Sequence, residues 1–540
     1  MLTFWRSLRQ TLRFDPTGLY LRQTAVVMGT VLGTYGWALL IEHLAGLRVD
    51  SVVQAVVVAF SLGRVQRAFD PTDRLLAAAV LPCAVAGGTE LSTLIQRHPN
   101  VGDAVFVLGV AGAIWIRRFG THATRAGTLL VLPLVAVLVI PAGVAPTDGH
   151  ARTGWAAVTA LVAVVWGTLL TWVAHRTRFV PVPPPVWAVR TTPSARAGLP
   201  ASTRMALQMA AALTAAFVVG RTVWPDHWAW VVLTAFLVCS GARSRGDVLV
   251  KGAWRTAGAA VGTLVAGAVT GSFGPRSDTA VVVIFAVLAV ATWLRELSYA
   301  YWAACVTAVL SLLYDWFGQS PGDLLHTRLA GIAVGAGIGL ASSWLVLPIR
   351  TAAVARARTA AALAGLGELL EADWRDERAV RRARARFANR VDQLVLATAP
   401  LRVLAALTTG RAANDTALRA TAALQECAAP LDTLTTAVAS APAELSDDPA
   451  LTRRRTEIKA RALAVRRAIG RRPPATDQQH EPLPAAPPGP AAPSQAAGTA
   501  MDALNALDAP LDTLARLFAP PATQQPPRRP LLPAPARQPR

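Results

Sequence analysis

The fold is decided by residues 226–271, which read DHWAWVVLTAFLVCSG, then ARSRGDVLVKGAWR, then TAGAAVGTLVAGAVTG. The first and third parts are apolar, and each is long enough to cross much of a bilayer as an α-helix. The middle part carries Arg243, Arg245, Lys251 and Arg255, which enter hydrocarbon only at a high free-energy cost. The stretch therefore predicts a membrane hairpin with a basic cytoplasmic turn.

Small residues line one face of the third part. Gly258, Gly262 and Ala266 recur every four residues, so they share one side of a helix. Such a side lets a second helix approach to backbone contact, and we expect helix packing there. The same spacing and the same expectation apply to Gly331, Gly335 and Gly339.

The composition of the whole chain agrees with a membrane protein. Of 540 residues, 53% are hydrophobic and only 16% are charged, which is too apolar for a soluble protein of this length. The net charge of +21 is carried beside apolar segments and in an alanine-rich tail, so we expect membrane lipid as the partner and no nucleic acid. No GxxxxGK[ST], HExxH, CxxC or GxSxG motif is present, and we predict no enzyme activity, no cofactor and no metal.

About twelve apolar runs have room for a membrane helix, which predicts an all-α polytopic protein. With a cytoplasmic N-terminus, the loops before residue 350 place 20 cations inside and six outside. This bias supports an even number of spans and two cytoplasmic termini. The expected location is the plasma membrane.

An internal repeat relates the two halves of the membrane region. AIWIRRFGTHATRAG (113–127) aligns with ATWLRELSYAYWAAC (291–305), which pairs Arg117 with Arg295, and Phe60 pairs with Phe236 at a similar spacing. Two units of six spans inserted in the same sense form a parallel repeat.

These patterns divide the chain into six parts. They are an interfacial N-terminal helix (1–23), a first transmembrane half (24–174), a Pro-rich basic cytoplasmic linker (175–200), a second transmembrane half (201–349), a cytoplasmic helical domain (350–472) and a Pro/Ala-rich disordered tail (473–540). Within the tail, the sequence predicts one short amphipathic helix from Ala500 to Phe518.

Three carboxylates near membrane depth are candidates for proton coupling: Glu42, Glu90 and Asp103. A buried acid in a membrane helix commonly has a function. The alternative is a solvated carboxylate, because all three lie toward the outer ends of their spans.

The candidate substrate-binding residues are cationic or aromatic. Arg255 and Arg328 each precede glycines at the spacing RxxGxxxG, where a cation could meet an anionic solute or pin a helix end to headgroups. Four aromatic candidates could stack on a solute or form the interfacial belt, namely Trp228, Trp230, Tyr301 and Trp302.

Four segments carry a family resemblance. HWAWVVLTAF (227–236), RTAGAAVG (255–262), SYAYWAACVTAV (298–309) and TRLAGIAVGAGIGLASSWLVLP (327–348) resemble the second membrane half of the fusaric acid resistance and aromatic acid exporter (FUSC-type) family. The resemblance covers about residues 200–350 and implies export, or passive conduction, of organic anions. Arg255, Gly258 and Gly262 match the family pattern Arg-x-x-Gly-Thr-x-x-Gly, with Ala259 in place of threonine.

The sequence therefore favours a secondary transporter, a proton-driven exporter of aromatic or other hydrophobic organic anions. An organic-anion channel of the same fold remains an alternative, as does a membrane scaffold that acts through the basic tail. A homo-oligomer is left open.

Overall fold

The computed structural model describes residues 15, 17–46, 49–139, 150–181, 199–269, 273–318, 324–407, 416–470 and 494–519. In these residues the regular structure is helical and no β-strand occurs, so the all-α class is confirmed. The chain divides into two compact units, Met1–Thr351 and Ala352–Arg540. Most of the predicted N-terminal helix, most of the linker and the larger part of the predicted tail lie outside the described residues.

The described part of the first unit contains twelve α-helices. They are α1 (Leu19–Ala45), α2 (Val49–Val65), α3 (Pro71–Arg97), α4 (Pro99–Trp115), α5 (Thr121–Val139), α6 (His150–Arg176), α7 (Ala201–Val223), α8 (Trp228–Cys239), α9 (Arg245–Val269), α10 (Asp278–Leu294), α11 (Tyr299–Trp316) and α12 (Leu324–Leu345). We call α1–α6 the first half and α7–α12 the second half. The halves meet where α4 packs on α7, α5 on α8 and α1 on α10.

Seven helices of the described residues are long and apolar enough to cross a membrane by themselves. They lie within α1, α3, α4 with its following turn, α5, α6, α7 and α12. The chain is therefore a multi-pass membrane protein. Among the shorter helices, α8 has twelve residues, of which ten are buried, so protein rather than lipid surrounds it.

The basic segment of the hairpin differs from the sequence prediction. Helix α9 begins at Arg245, so Lys251 and Arg255 lie inside a helix and the turn is confined to about residues 240–244. The segment holds good helix formers and no proline, and long cationic side chains can reach polar partners from within a helix. Lys251 does so, because its Nζ donates to the Ser240 carbonyl at 3.0 Å.

The small residues of α9 and α12 lie at close helix contacts. A Cβ atom added at Gly258 would stand 2.6 Å from the Ala300 carbonyl oxygen, and one at Gly262 would overlap the Ala304 carbonyl oxygen of α11. A Cβ at Gly335 would stand 2.5 Å from the Val231 carbonyl oxygen of α8. Only glycine permits this approach, so α9 is held against α11 and α12 against α8.

Three further small positions complete these two faces. Ala266 is buried on α9, Gly331 lies opposite Val231, and Gly339 lies opposite the Cys239 thiol. At Gly331 an added Cβ would meet only ordinary contacts, at 3.6 Å or more, so the tightest approach of α12 is at Gly335.

The second unit is a helical bundle around a leucine- and alanine-rich core. Its helices are α13 (Thr351–Glu371, beginning at the unit boundary), α14 (Glu377–Leu407), α15 (Thr416–Glu426), α16 (Ala428–Ser440), α17 (Pro442–Asp447), α18 (Pro449–Ile469), α19 (Gln495–Asn505) and α20 (Asp508–Phe518). Where the sequence predicted one helix in a disordered tail, the structure has two. They bury Leu504, Leu511 and Leu514 in the core, together with Leu507 between them. These leucines recur at helical spacing and need the bundle as a partner, which local composition does not reveal.

Candidate functional site: a cavity between the two halves

A cavity of about 620 Å³ lies between the two halves of the first unit. Its walls come from α1, α2 and α5 of the first half and from α8, α10 and α11 of the second. This volume is in the range of cavities that enclose small organic molecules.

Four cations line one end of the cavity, which we call the cationic end: Arg64, Arg117, Lys251 and Arg295. Arg64 stands at the end of α2, Arg117 and Arg295 lie in the turns that precede α5 and α11, and Lys251 reaches back to the turn before α9. Among the described residues, none of the four has a carboxylate within ion-pairing distance. The two halves contribute two cations each, so the charge is shared across their interface.

Several donors at the cationic end lack a hydrogen-bond acceptor in the protein. Buried nitrogen atoms of Arg64 (Nε and Nη1) and Arg117 (Nε) have none, nor do the hydroxyl of Tyr299 and the indole Nε1 of Trp302. Buried polar groups are nearly always hydrogen-bonded to protein or to water, so these unpaired donors around the cavity are available to water or to an acceptor group of a ligand. The acceptor that suits four cations and several N–H and O–H donors is an anion.

The middle of the cavity is apolar and partly aromatic. Phe60, Phe236 and Phe285 line it together with valine and leucine side chains. At the opposite end the wall carries two carboxylates, Glu42 and Asp278, and the indole of Trp316. The cavity is therefore polarised along its length, from cationic through apolar to acidic.

The wall is built from positions that the sequence repeat pairs with one another. At an offset of 176 residues, the paired lining positions of α2 and the α8 region are Val57 with Leu233, Phe60 with Phe236, Ser61 with Leu237, and Arg64 with Ser240. At an offset of 178 residues they are Arg117 with Arg295, Thr128 with Val306, Val131 with Val309, Leu132 with Leu310, and Val135 with Leu313. The two halves thus present corresponding faces to the cavity.

Of the predicted substrate-binding residues, Trp302 alone lines the cavity. Arg295 lies over its ring at 5.2 Å from the centroid, and Tyr299 packs beside it at 5.3 Å. Tyr301 is partly exposed and points away from this wall. The stacking surface that the sequence predicted is thus reduced to one of its four aromatic residues.

Trp228 and Trp230 belong to the packing of the second half. Trp228 lies between Phe217 at 5.4 Å and the Arg221 guanidinium at 4.4 Å. The indole Nε1 of Trp230 donates to the Tyr314 hydroxyl at 3.1 Å. Both rings are buried, so they form neither an interfacial belt nor the cavity wall.

Arg255 and Arg328 are buried inside the second half and do not line the cavity. Arg255 Nη1 donates to the Ala303 carbonyl at 3.3 Å and to the Thr307 hydroxyl at 3.2 Å. Arg328 donates to the Ser311 hydroxyl at 2.6 Å and to the Thr307 carbonyl at 3.3 Å. Both arginines therefore bind α11, and neither is placed to pin a helix end to lipid headgroups.

The three predicted proton-coupling carboxylates have different surroundings. Asp103 accepts two hydrogen bonds from Arg221, at 2.5 and 2.7 Å. Glu90 is exposed and accepts from the Thr153 hydroxyl at 2.5 Å. Glu42 is the one of the three that lines the cavity.

The sequence did not single out Arg64, Arg117, Lys251, Arg295 or Tyr299 as site residues, although they form the cationic end. The repeat held a signal for two of them, because it pairs Arg117 with Arg295. No group of three or more metal-ligating side chains is close enough to hold a metal ion in the part of the chain that the structure describes.

A comparison with known families finds one match. Residues 209–342, from α7 to near the end of α12, match the family described as "Fusaric acid resistance protein-like". Neither a curated protein nor a solved structure matches the chain. The match confirms the resemblance in the sequence: residues 209–342 of this membrane protein are similar to the fusaric acid resistance protein-like, FUSC-type family.

Proposed function

We propose that this protein is a secondary transporter that exports aromatic or other hydrophobic organic anions across the plasma membrane through the cavity between its halves. The observation that carries the proposal is the cationic end, where Arg64, Arg117, Lys251 and Arg295 line an apolar cavity and have no carboxylate of the described residues within ion-pairing distance. The fusaric acid resistance protein-like domain supports a transport function.

The polarity of the cavity specifies an amphipathic anion. A carboxylate at the cationic end accepts hydrogen bonds from the guanidinium groups, Tyr299 and Trp302, each charged bond contributing about 1.5–3 kcal/mol. The hydrocarbon part then packs on Phe60, Phe236 and Phe285, where burial contributes roughly 25 cal/mol per Å². Inorganic anions would leave this apolar wall unused, so a hydrophobic body is required for tight binding.

The cationic end faces the cytoplasm if all twelve helices of the first unit cross the membrane and both termini are cytoplasmic. The positive-inside bias of the loops favours this orientation. Paired lining positions in the two halves support a parallel repeat, and in such transporters one half rocks against the other around a shared site.

Glu42 is our assignment for proton coupling. It lines the cavity at the end opposite the cations, whereas neither Asp103 nor Glu90 lines the cavity. A carboxylate that takes up a proton from outside could exchange it for an anion released at that end.

The proposal is tested by uptake of 2-naphthoate, an aromatic monocarboxylate, into inverted vesicles with an acidic lumen. We expect accumulation that depends on the protein and that an uncoupler abolishes. Glu42→Gln should remove the dependence on the pH gradient, while Glu90→Gln, its control outside the cavity, should retain it. Equal uptake in vesicles with and without the protein would refute the proposal.

An organic-anion channel is the second candidate. A channel requires a path along the whole bundle. It is favoured because the cavity is lined near both ends of the helices, by Arg295 at one end and by Glu42 and Asp278 at the other. Planar-bilayer recording separates the two functions: a channel carries naphthoate current without a pH gradient, and a coupled exporter does not.

A further inference from the structure

Two arginines lie behind the cavity wall rather than on it. Arg255 of α9 and Arg328 of α12 are only 2% and 6% exposed. Their hydrogen-bond partners are carbonyl and hydroxyl oxygens of α11, all of them neutral. Within the described residues neither guanidinium has a carboxylate in ion-pairing distance, although Arg328 also lies over the rings of Trp230 and Tyr314. Two positive charges are therefore buried without a counter-charge.

Helix α11 lies between these charges and the cavity. The arginines bind it around Thr307, whereas Val306, Val309 and Leu310, at the same level of the helix, line the apolar middle of the cavity. A helix with its side chains is about 10 Å across, so both charges lie within roughly that distance of the cavity.

A buried charge acts over this distance. Salt screens exposed charges beyond about 10 Å, but it screens little inside a bundle, where the effective dielectric constant is low. The apolar middle has no cation of its own, and an anion that left the cationic end would enter it at a large desolvation cost. The field of the two arginines offsets part of that cost.

We propose that Arg255 and Arg328 act together as two positive charges behind α11, which we call the buried cations. Their field draws the anionic group of a solute from the cationic end into the apolar middle of the cavity. The inference rests on the proposed function, because it concerns the same cavity. Both arginines are positioning residues: they touch α11, and they act on the solute by charge rather than by contact.

Binding of two matched probes to the purified full-length protein tests this role. The probes are 2-naphthoate and its uncharged amide, 2-naphthamide, titrated by calorimetry. Arg255→Gln and Arg328→Gln should each weaken naphthoate binding about tenfold, as expected for one charge removed at about 10 Å. Naphthamide binding should change by less than about twofold, because the cavity wall itself is intact.

Charge-preserving variants separate this role from a structural one. Arg255→Lys and Arg328→Lys should restore most of the naphthoate affinity, and Ser311→Ala, which removes a hydrogen bond of Arg328 but no charge, should leave it unchanged. The exposed Arg178→Gln is the control for charge lost at a screened site. If a glutamine variant does not fold, the methionine variant at that position removes the charge without burying a new polar group.

The outcomes distinguish failure of the inference from failure of the proposed function. If the variants weaken the binding of both probes equally, or do not weaken naphthoate binding, the proposed role of the buried cations is overturned while the anion site stands. If the wild-type protein binds naphthoate no better than naphthamide, both the anion site and the proposed role of the buried cations are overturned.

Discussion

The cations of the two units are used differently. In the described part of the first unit, the arginines at and behind the cavity have no carboxylate within ion-pairing distance, and Arg255 and Arg328 donate to neutral oxygens. In the second unit, arginines pair repeatedly with carboxylates. Examples are Arg384 with Asp432, Arg386 and Arg390 with Glu368, Arg454 and Arg461 with Asp508, and Arg461 with Asp512.

Under the proposed function, this difference separates cations that bind a solute from cations that stabilise the fold. A paired arginine on a surface contributes little beyond local order, because its charge is already neutralised. An arginine without a carboxylate partner beside an apolar cavity keeps its charge available, and in the proposed function the anionic solute supplies the counter-charge. The cations of the chain therefore fall into two groups, and only the group in the first unit points to function.

The largest effect should follow from removing two cations of the cationic end, one from each half. In Arg117→Gln/Arg295→Gln, two charged hydrogen bonds to the solute are lost, about 3 kcal/mol or more together, so naphthoate transport should fall about a hundredfold or further. Initial rates in proteoliposomes measure the effect, with Arg178→Gln as the control. Transport within about threefold of the wild type would show that the cationic end is not the binding site.

A second prediction concerns the close contact between α9, which carries Arg255, and α11, which carries its neutral hydrogen-bond partners. Gly262→Leu should force α9 away from α11 and destabilise the first unit by about 2–3 kcal/mol, because its side chain must displace the Ala304 carbonyl. Size-exclusion profiles after heating measure the loss. On the same helix, a Cβ atom added at Gly267 would meet no atom within 4 Å, so Gly267→Leu should fold normally. Equal stability of the two variants would contradict the close approach.

The paired cations of the second unit should have a smaller effect, and only on that unit. Asp508→Asn weakens the pairs with Arg454 and Arg461, so amide exchange in Asp508–Phe518 should speed up by an amount equivalent to about 1 kcal/mol. Transport should be unchanged. Asp512→Asn, at a more exposed pair, is the matched control and should change exchange less. A transport defect in Asp508→Asn would show that these pairs are not purely structural.

The smallest effect concerns the one cysteine in the core of the second unit. Burial raises the pKa of the Cys427 thiol to about 12, so the nucleophilic thiolate is suppressed in the folded protein at pH 8. We expect no iodoacetamide modification of Cys427 in the native protein and complete modification after denaturation, measured by mass spectrometry. Native modification would show that this core opens readily.

The sequence predicted the helical class, the family of residues 209–342 and the spacing of Gly258, Gly262 and Gly335 at close helix contacts. Each of these depends on local composition and on helical periodicity. The candidate site was less accessible to prediction: Trp302 and Glu42 line the cavity, but Arg255 and Arg328, the cations judged most informative, face α11 instead. The twelve-span count and the parallel repeat remain predictions.

The physical reason is that a membrane helix is apolar toward lipid and toward its neighbours alike, so its sequence does not reveal which side faces a cavity. By itself the sequence determined that cations would gather near the turns of an apolar helical bundle. Only the packing of α1, α2 and α5 against α8, α10 and α11 decided which of those cations share a cavity and which lie behind its wall. This packing depends on contacts between residues that are in some cases more than two hundred positions apart in the sequence, and local patterns do not encode such contacts.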